Sequence, residues 1–252
     1  MGRAAFIFAY FAYKRLYEDP FWPLIRQRAD LFTEGDILDI GANIGYTSWL
    51  FSQLLSPESK VYSFEPDDLN FELLEHVIRK RKLLNRVIPI RAAVGASDGY
   101  VKLWHNPCHH GDHRVLTDHL KTRISNSAAI SSVPVFSVDK FVESQGLRKI
   151  SFIKIDVQGY ELAVCEGMRS TLLKFPNVLV AVEYAPEALT DLGFEAIEVL
   201  KFFRSQGWRT YVLTGKSMRS ADSDSVIEQS VSARGYVDLL FSKRVLIGDS
   251  VS

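Results

Sequence analysis

The sequence predicts an α/β protein with a doubly wound, seven-stranded and mostly parallel sheet that carries an antiparallel hairpin at one edge. Short runs rich in β-branched residues alternate with longer segments whose apolar residues recur at helical spacing. This alternation is typical of a parallel sheet covered by helices. The 252 residues are 47% hydrophobic and 24% charged, which indicates a globular chain long enough to fold without disulfides or a structural metal.

Seven segments have the pattern of strands, and helical patterns follow four of them. The strands are predicted at 36–40, 61–65, 87–93, 151–156, 178–183, 208–214 and 236–242. The helices are predicted near 44–55, 69–84, 162–172 and 186–206. Gly207 follows the last of these helices, as glycine commonly does at a helix end. No helical pattern separates the last two strands, which predicts the hairpin at the sheet edge.

A long insertion, about 95–150, separates the third and fourth strands, and residues 1–32 precede the first strand. Segments as long as this insertion usually carry function when they occur within a compact domain. Ligands of doubly wound sheets bind outside the carboxyl ends of the strands, so we expect the insertion to cover a substrate site there. The chain is therefore divided into an N-terminal helical extension, 1–32, and one domain, 33–252.

The extension begins with an apolar run, 4–13, that is roughly half the length of a membrane span. We interpret this run as a short helix docked on the domain, with contact to a membrane surface and pairing of two subunits as alternatives. Basic and acidic residues both number 30, which argues against a large nucleic-acid footprint. Cys108 and Cys165 are too few for a disulfide framework, and free thiols indicate a cytoplasmic protein.

A glycine-containing turn after the first strand is the sharpest motif of the sequence. Small residues there allow a ligand to approach the backbone closely, and the following helix offers free N–H groups to an anion. These small residues are Gly41, Ala42 and Gly45. A dinucleotide signature would place glycines where Asn43 and Tyr46 stand, which disfavours a nicotinamide-dependent oxidoreductase. Glu65, 20 residues past Gly45, ends the second strand, where it is placed to accept hydrogen bonds from ribose hydroxyls.

A cofactor with an adenosine but no pyrophosphate fits these features, and four motifs resemble the FkbM-type family of S-adenosylmethionine-dependent methyltransferases. In chain order they are Asp39-Ile-Gly-Ala-Asn-Ile-Gly45, Val61-Tyr-Ser-Phe-Glu-Pro66, Ala92-Ala-Val-Gly95 and Ile153-Lys-Ile-Asp-Val-Gln-Gly-Tyr-Glu161. The resemblance runs from about residue 33 to 243. It implies a Rossmann-like class I methyltransferase fold, S-adenosylmethionine as the cofactor, and O-methylation of a hydroxyl on a small-molecule or glycan acceptor, such as a sugar or a secondary metabolite. A cofactor-binding module without catalysis is the non-enzymatic alternative.

The resemblance also implies which residues bind the cofactor. The loop around its methionine end is formed by Asp39, Gly41, Ala42, Asn43 and Gly45. Glu65 holds the ribose. The stretch 92–94 has no acidic side chain for the adenine amine, so the backbone near Ala93 is expected to meet the adenine. Gln158 stands where the family usually has glutamate, so one negative charge is lost beside the site.

Methyl transfer requires an acceptor oxygen in line with the methyl group at about 3 Å, and it requires removal of the acceptor's proton. Asp156 and Glu183 end the fourth and fifth predicted strands. Because the carboxyl ends of parallel strands meet at one edge of the sheet, both carboxylates are expected to face the acceptor. We predict both as catalytic residues. For Asp156, the alternative role is the N-cap of the helix that follows.

A histidine-rich stretch, 105–119, lies within the insertion and holds five of the six histidines. Histidine titrates near neutral pH, so a histidine on a loop over the cofactor is suited to contact or deprotonate the acceptor. We predict His113, which has a charged residue on either side, as the third catalytic residue. Together with Cys108 these histidines could instead bind a metal. The adjacent His109 and His110 do not easily converge on one ion, however, so we predict no metal.

Overall fold

The computed structural model describes residues 2–106, 111–124, 129–215, 217–232 and 234–246, and it has an α/β architecture with two sheets. Twelve strands lie within these residues: β1 (Asp36–Ile40), β2 (Val61–Phe64), β3 (Val87–Ile90), β4 (Ala93–Val94), β5 (Gly99–His105), β6 (Arg114–Val115), β7 (Ala129–Phe136), β8 (Ile150–Ile155), β9 (Leu179–Tyr184), β10 (Arg209–Leu213), β11 (Met218–Ser220) and β12 (Val237–Ser242).

Eleven α-helices are found in the same residues: α1 (Arg3–Tyr13), α2 (Phe21–Gln27), α3 (Tyr46–Ser52), α4 (Asp68–Lys80), α5 (Asp118–Lys121), α6 (Val138–Ser144), α7 (Glu161–Glu166), α8 (Arg169–Lys174), α9 (Pro186–Asp191), α10 (Ile197–Arg204) and α11 (Asp224–Val231). A π-helix, Lys14–Glu18, continues α1, and a short 3₁₀ helix, Ala29–Leu31, follows α2.

The large sheet has eight strands in the order β11-β10-β12-β9-β8-β1-β2-β3. The strands from β9 to β3 run parallel, whereas β12 is antiparallel to both of its neighbours and β11 is antiparallel to β10. Each of the seven predicted strands has a counterpart in this sheet, but the strand predicted at 87–93 ends at Ile90, and Ala93 belongs to β4 of the second sheet. The predicted count of seven is wrong because β11 has three residues and one apolar side chain, too few to form a recognisable strand pattern.

The predicted edge hairpin is also corrected by this order. β10 and β12 pair antiparallel as expected, but β12 lies between β9 and β10, and β11 is the edge strand. The connection between β10 and β12 contains α11, of whose residues Ile227 alone is buried. Because one buried side chain makes no apolar stripe, periodicity does not predict this helix.

Two predicted helices are each divided near a glycine. The helix predicted at 162–172 is α7 followed by α8, and the helix predicted at 186–206 is α9 followed by α10. Gly193, between α9 and α10, has a left-handed φ of +89°. A Cβ on Gly167, between α7 and α8, would lie 2.1 Å from the carbonyl oxygen of Gly95. Glycine therefore permits a close approach between this turn and the start of the insertion.

The core lies on both faces of β8, whose six residues are all buried. Ile153 and Ile155 pack on one face with α6 to α11, and Phe152 packs on the other with α1 to α4. A parallel strand covered on both faces is expected to be almost continuously apolar. Lys154 departs from this rule, because it is a buried lysine in the central strand.

The insertion, together with β4 directly before it, forms the second sheet, with the order β4-β7-β5-β6. β4 begins three residues after β3 ends, so this sheet is attached at the carboxyl edge of the large sheet. A small cluster of buried residues, Ala93, Leu103, Val133 and Val135, forms its own core. The insertion is therefore a folded layer beside the strand ends at which ligands of this fold class bind.

The N-terminal extension packs against α3. The ring of Phe11 lies 5.3 Å from that of Tyr46 and 5.6 Å from that of Trp49, measured between centroids. The Arg81 guanidinium lies over Phe11 and Trp49, at 4.5 and 4.4 Å from the ring centroids. In the part of the chain that the structure describes, no helix combines the length and the apolar character needed to cross a membrane.

Candidate active site

A cavity of about 950 Å³ lies at the carboxyl ends of β1, β2, β8 and β9. The four sequence motifs meet there, since the glycine turn, the end of β2, the stretch 92–94 and the end of β8 all contribute lining residues. Ala93, at the start of β4, also lines the cavity. The cavity occupies the position at which doubly wound sheets bind their ligands.

The turn after β1 has a conformation that requires glycine. Gly41 has a φ of +79°, and a Cβ there would lie 1.8 Å from the carbonyl oxygen of Asp156. Gly45 has a φ of +88°, and a Cβ there would lie 2.6 Å from a side chain of α4. Gly41, Ala42 and Asn43 line the cavity. Gly45 is instead the residue that brings the turn close to α4.

Glu65 lies on the cavity wall, and both of its carboxylate oxygens accept backbone hydrogen bonds. The N–H of Asn43 donates to Oε2 at 2.8 Å, and the N–H of Asp67 donates to Oε1 at 2.9 Å. Burial raises the pKa of Glu65 to about 8, and the charge of Asp67 acts in the same direction. Each oxygen keeps a second lone pair. Glu65 is therefore able to accept hydrogen bonds from two ribose hydroxyls, which would favour its ionised form.

Asp39 is fully buried and lies beneath the turn, outside the cavity lining. Its Oδ2 accepts hydrogen bonds from the hydroxyls of Thr47 and Ser48 at 2.8 and 2.6 Å. Its Oδ1 lies 3.6 Å from the Nζ of Lys154, which donates to the carbonyl oxygen of Gly41 at 2.7 Å. Asp39 therefore supports the turn and the start of α3 from below.

Lys154, to which the sequence analysis assigns no role, connects the turn to the end of β8. Its Nζ lies 3.3 Å from Oδ2 of Asp156. Burial acts to lower the pKa of Lys154, but the charges of Asp156 and Asp39 outweigh it and raise the pKa. Lysine is seldom buried without a charged partner. A lysine within an otherwise apolar central strand is the sequence signal that could have identified this residue.

Asp156 and Glu183 lie together at the cavity, joined by Gln158. The Nε2 of Gln158 donates to Oδ1 of Asp156 at 2.7 Å and to Oε1 of Glu183 at 3.1 Å. Burial opposes ionisation of Asp156, but Lys154 lowers its pKa below the usual value. Burial and the charge of Asp156 raise the pKa of Glu183 well above its usual value. The site therefore keeps Asp156 ionised and favours the protonated form of Glu183.

The turn after β8 is capped by Glu161, which settles the alternative role considered for Asp156. α7 begins at Glu161, and its Oε1 accepts hydrogen bonds from the N–H groups of Val157 and Gly159, both at 3.1 Å. Burial raises the pKa of Glu161 to about 7. The side chain of Asp156 is thus free of the capping role and contributes to the cavity lining.

His113 lines the cavity from the insertion, and both of its ring nitrogens lie near polar groups. The N–H of Asn106 donates to Nδ1 at 3.1 Å, and Nε2 lies 3.6 Å from Oδ2 of Asp67. The same Asp67 oxygen lies 2.7 Å from Nδ1 of His105, whose Nε2 lies 2.8 Å from the hydroxyl of Ser131. Because Nδ1 of His113 accepts a hydrogen bond, its neutral ring carries the proton on Nε2.

The ligand atoms of this carboxylate and the two imidazoles lie within 4.8 Å of one another, close enough to consider a metal ion. A histidine ligand must offer a lone pair to the metal and usually donates its other ring N–H. His113 shows the opposite arrangement, because its Nδ1 is the acceptor and its Nε2 carries the proton. The hydrogen bonds therefore favour a histidine–carboxylate network that joins the insertion to the start of α4. Cys108, His109 and His110, which the sequence analysis also considered as ligands, lie outside the described residues.

Residues near the two ends of the chain also line the cavity, and the sequence analysis did not identify them. They include Tyr10, Lys14, Tyr236 and Asp238. Asp238 is the register partner of Glu183 on the neighbouring strand, and burial and then the charge of Asp156 raise its pKa to about 7. Long-range packing alone brings these residues to the site, so no local pattern in the sequence marks them.

Comparison with known proteins identifies the family. The family model for the methyltransferase FkbM domain matches residues 39–210, which is more than half of the chain. The hexuronic acid methyltransferase AglP of Haloferax volcanii is 29% identical over 190 residues, which cover 73% of this chain and 73% of AglP. The methyltransferase sdnD of Sordaria araneosa is 25% identical over 219 residues, which cover 74% of this chain and 82% of sdnD.

The solved structure of an O-methyltransferase from Bacillus cereus in complex with SAH shares the fold. Its TM-score is 0.51 at 12% identity, with 95% of this chain and 89% of that one covered. This likeness confirms the predicted Rossmann-like class I methyltransferase architecture. The family match decides against the nicotinamide-dependent oxidoreductase considered as an alternative. The chain belongs to the FkbM methyltransferase family, and it is an enzyme that uses S-adenosylmethionine as its methyl donor.

Proposed function

We propose that this enzyme transfers the methyl group to a hydroxyl oxygen of a sugar or of a secondary metabolite. The supporting observation is that the cofactor turn and the two strand-end carboxylates share one cavity of about 950 Å³. Ligand pockets usually measure about 300–1,000 Å³, so this one has room for the cofactor and a small acceptor together. The name of AglP specifies a hexuronic acid, and such sugar acids are the first acceptors to test.

The residues present fit the cofactor. The backbone at 41–43 is proposed to hold its methionine end, with Asp39 and Gly45 supporting that turn. Glu65 is proposed to hold the ribose, because its carboxylate lines the cavity and each of its oxygens keeps a second lone pair beside the one that accepts a backbone N–H. The backbone near Ala93 is proposed to meet the adenine.

The two carboxyl groups divide the catalytic work in this proposal. The bound cofactor supplies a methyl group that is already activated on a sulfonium. The acceptor oxygen would form its bond to this methyl carbon as the carbon–sulfur bond breaks, with the electron pair left on sulfur. The acceptor O–H becomes acidic as its oxygen gains positive charge, so an ionised carboxylate accepts the proton. Asp156, which Lys154 keeps ionised, takes this proton, and protonated Glu183 donates a hydrogen bond that orients the acceptor.

His113 enters this proposal as a contact to the acceptor. His113 lines the cavity, and the hydrogen bond from the N–H of Asn106 orients its ring beside Asp67. Since its Nδ1 already accepts the N–H of Asn106, we assign the proton transfer to Asp156. The ring of His113 then bounds the space in which the acceptor lies.

The Asp156→Asn variant tests this assignment. Turnover of a hexuronic acid with radiolabelled S-adenosylmethionine is expected to fall about 10²–10⁴-fold, the usual contribution of a positioned acid–base group. Calorimetric affinity for S-adenosylhomocysteine is expected to stay within a few-fold of wild type. Glu198→Gln is the control, since Glu198 is exposed and paired with Lys201. Wild-type turnover in Asp156→Asn would contradict the assignment of Asp156 as the base. Methylation of neither sugars nor hydroxylated secondary metabolites such as phenols would contradict the acceptor class.

A further inference from the structure

The cavity has two sides of different origin. Its cofactor side and the catalytic carboxyls of β8 and β9 come from residues within the range 39–210 that the family model matches. Another side comes from α1 with the π-helix that follows it, and from residues 234–238, which lie outside that range. We call the surface of Phe6, Tyr10, Tyr13 and Lys14 the N-terminal wall.

The N-terminal wall is fixed to the domain by the neighbouring face of its helix. Ile7 and Phe11 are buried against the core. Asp19, which follows the π-helix, accepts hydrogen bonds from the first N–H groups of α2 at 2.8 and 3.0 Å. It also accepts the hydroxyl of Tyr46 at 2.6 Å. Because Tyr46 begins α3 directly after the glycine turn, these contacts set the position of the wall relative to the cofactor turn.

The wall combines aromatic faces with an ammonium group. The ring centroids of Phe6 and Tyr10 lie 6.3 Å apart. The Nζ of Lys14 lies 5.9 Å from the centroid of Tyr10 and 2.6 Å from a carboxylate oxygen of Glu18. Lys14 also begins the π-helix, and such widened turns occur frequently at functional sites. The sequence alone gives no reason for this widening, since the segment contains neither glycine nor proline.

The charge of Lys14 acts on the carboxyl groups across the cavity. Burial is the largest influence on the pKa of Asp156, Glu183 and Asp238, and Lys14 lowers the pKa of all three. Glu183 and Asp238 face each other on neighbouring strands, an arrangement that destabilises a sheet when both groups are charged. An ammonium group on one side and carboxyl groups on the other leave between them a space with both kinds of hydrogen-bonding partner.

We propose that the acceptor binds between the N-terminal wall and these carboxyl groups, and that Tyr10 and Lys14 determine acceptor specificity. This inference rests on the proposed function and specifies its acceptor as a hydroxylated ring of the sugar class. One face of a sugar ring presents C–H groups, which pack on the aromatic side chain. The hydroxyls around the ring accept from the ammonium group and from protonated Glu183, and one of them donates to ionised Asp156. A flat apolar ring would displace water from the ammonium and carboxyl groups without forming new hydrogen bonds with them, which costs binding energy.

The test measures methyl transfer by the full-length enzyme to p-nitrophenyl β-D-glucuronide, p-nitrophenyl β-D-glucoside and catechol. Tyr10→Ala and Lys14→Met are expected to raise KM for a sugar glycoside at least tenfold. Their affinity for S-adenosylhomocysteine, measured by calorimetry, is expected to stay within about twofold of wild type, which also shows that the variants are folded. Tyr10→Phe, which keeps the ring, is expected to retain most of the sugar affinity. Phe8→Ala on the same helix is the control, because Phe8 is 77% exposed and lies outside the cavity lining.

The outcomes separate this inference from the proposed function. If sugars are methylated and the Tyr10 and Lys14 variants keep the wild-type KM, the N-terminal wall does not bind the acceptor, and this inference is refuted while the proposed function stands. The same conclusion follows if Phe8→Ala raises KM as much as Tyr10→Ala does. Transfer to catechol and to neither glycoside overturns the sugar class of this inference, while the proposed function stands with a secondary metabolite as its acceptor. Absence of transfer to all three acceptors overturns both.

Discussion

Replacement of Gly41 by alanine is expected to push the cofactor turn away from the end of β8. An added Cβ would lie 1.8 Å from the carbonyl oxygen of Asp156 and 2.9 Å from its carbonyl carbon. Contacts of a Cβ below 3.0 Å are essentially never observed, so the turn or the strand end must move by about 1 Å or more. Both atoms that are met belong to the backbone, and a change of rotamer therefore cannot relieve the overlap.

The expected loss of stability in Gly41→Ala has two contributions, one from the backbone conformation and one from the steric overlap. A left-handed backbone costs an alanine roughly 1–2 kcal/mol relative to glycine, and displacement of packed atoms adds about 1–3 kcal/mol. Gly41→Ala is thus expected to lower the free energy of unfolding by about 2–5 kcal/mol. Because a shift of about 1 Å at a reacting site can reduce turnover about 10²-fold, affinity for S-adenosylhomocysteine and turnover are expected to fall together.

Gly207→Ala separates the backbone contribution from the steric one. Gly207 has a φ of +78°, nearly that of Gly41, but a Cβ there would have no heavy atom within 4 Å. This control is expected to lose roughly 1–2 kcal/mol in urea unfolding and to bind S-adenosylhomocysteine as wild type does. Urea titration and calorimetry of both variants measure the difference. Equal losses of stability in the two variants, together with unchanged cofactor affinity in Gly41→Ala, would refute the steric reasoning.

Two further predictions concern charged groups. Ribose hydroxyls favour ionised Glu65, whose pKa is raised to about 8, so affinity for S-adenosylhomocysteine should increase as pH rises from 6 to 8 and then level off. Glu65→Gln should bind S-adenosylhomocysteine about 1–3 kcal/mol more weakly, and its affinity should not change with pH in this range. A wild-type affinity that stays constant from pH 6 to 8 in calorimetry would contradict the ribose contact. Lys154→Met should raise the pKa of Asp156, and thereby move the acidic limb of the kcat/KM profile to higher pH. It should also cost about 3–5 kcal/mol of stability, because buried carboxylates lose their partner. Lys201→Met, at an exposed ion pair, is the control. An acidic limb that stays at the wild-type pH in Lys154→Met would contradict the role of Lys154.

The strands of the large sheet could be predicted because their signal is local. Buried parallel strands are continuous apolar runs, and each of the seven long runs became a strand. β11 and α11 could not be predicted in this way, since each buries too few side chains to produce a period. The divided helices follow from contacts between segments distant in sequence, such as the approach of Gly167 to the carbonyl of Gly95, which periodicity does not report.

The cofactor residues could also be predicted from the sequence because their signal is local. The turn, the end of β2 and the end of β8 each carry a compact motif. The remaining parts of the cavity depend on tertiary packing. An apolar run such as 4–13 indicates that a helix docks, but it does not indicate the surface on which the helix docks. The residues of this run that line the cavity, Phe6, Tyr10 and Tyr13, are the ones left over when Ile7 and Phe11 face the core.

The raised pKa values of the buried carboxyl groups have a thermodynamic consequence for the empty enzyme. Glu65, Glu161 and Asp238 titrate at about 8, 7 and 7 when folded, whereas the unfolded chain releases these protons near pH 4. Between those pH values the folded state binds more protons than the unfolded one, so the free energy of unfolding declines as pH rises through neutrality. A ligand that donates hydrogen bonds to Glu65 or Asp238, which line the cavity, removes part of that penalty. Substrate occupancy and resistance to unfolding are therefore linked in this protein, and the ligand-free form is its most fragile state.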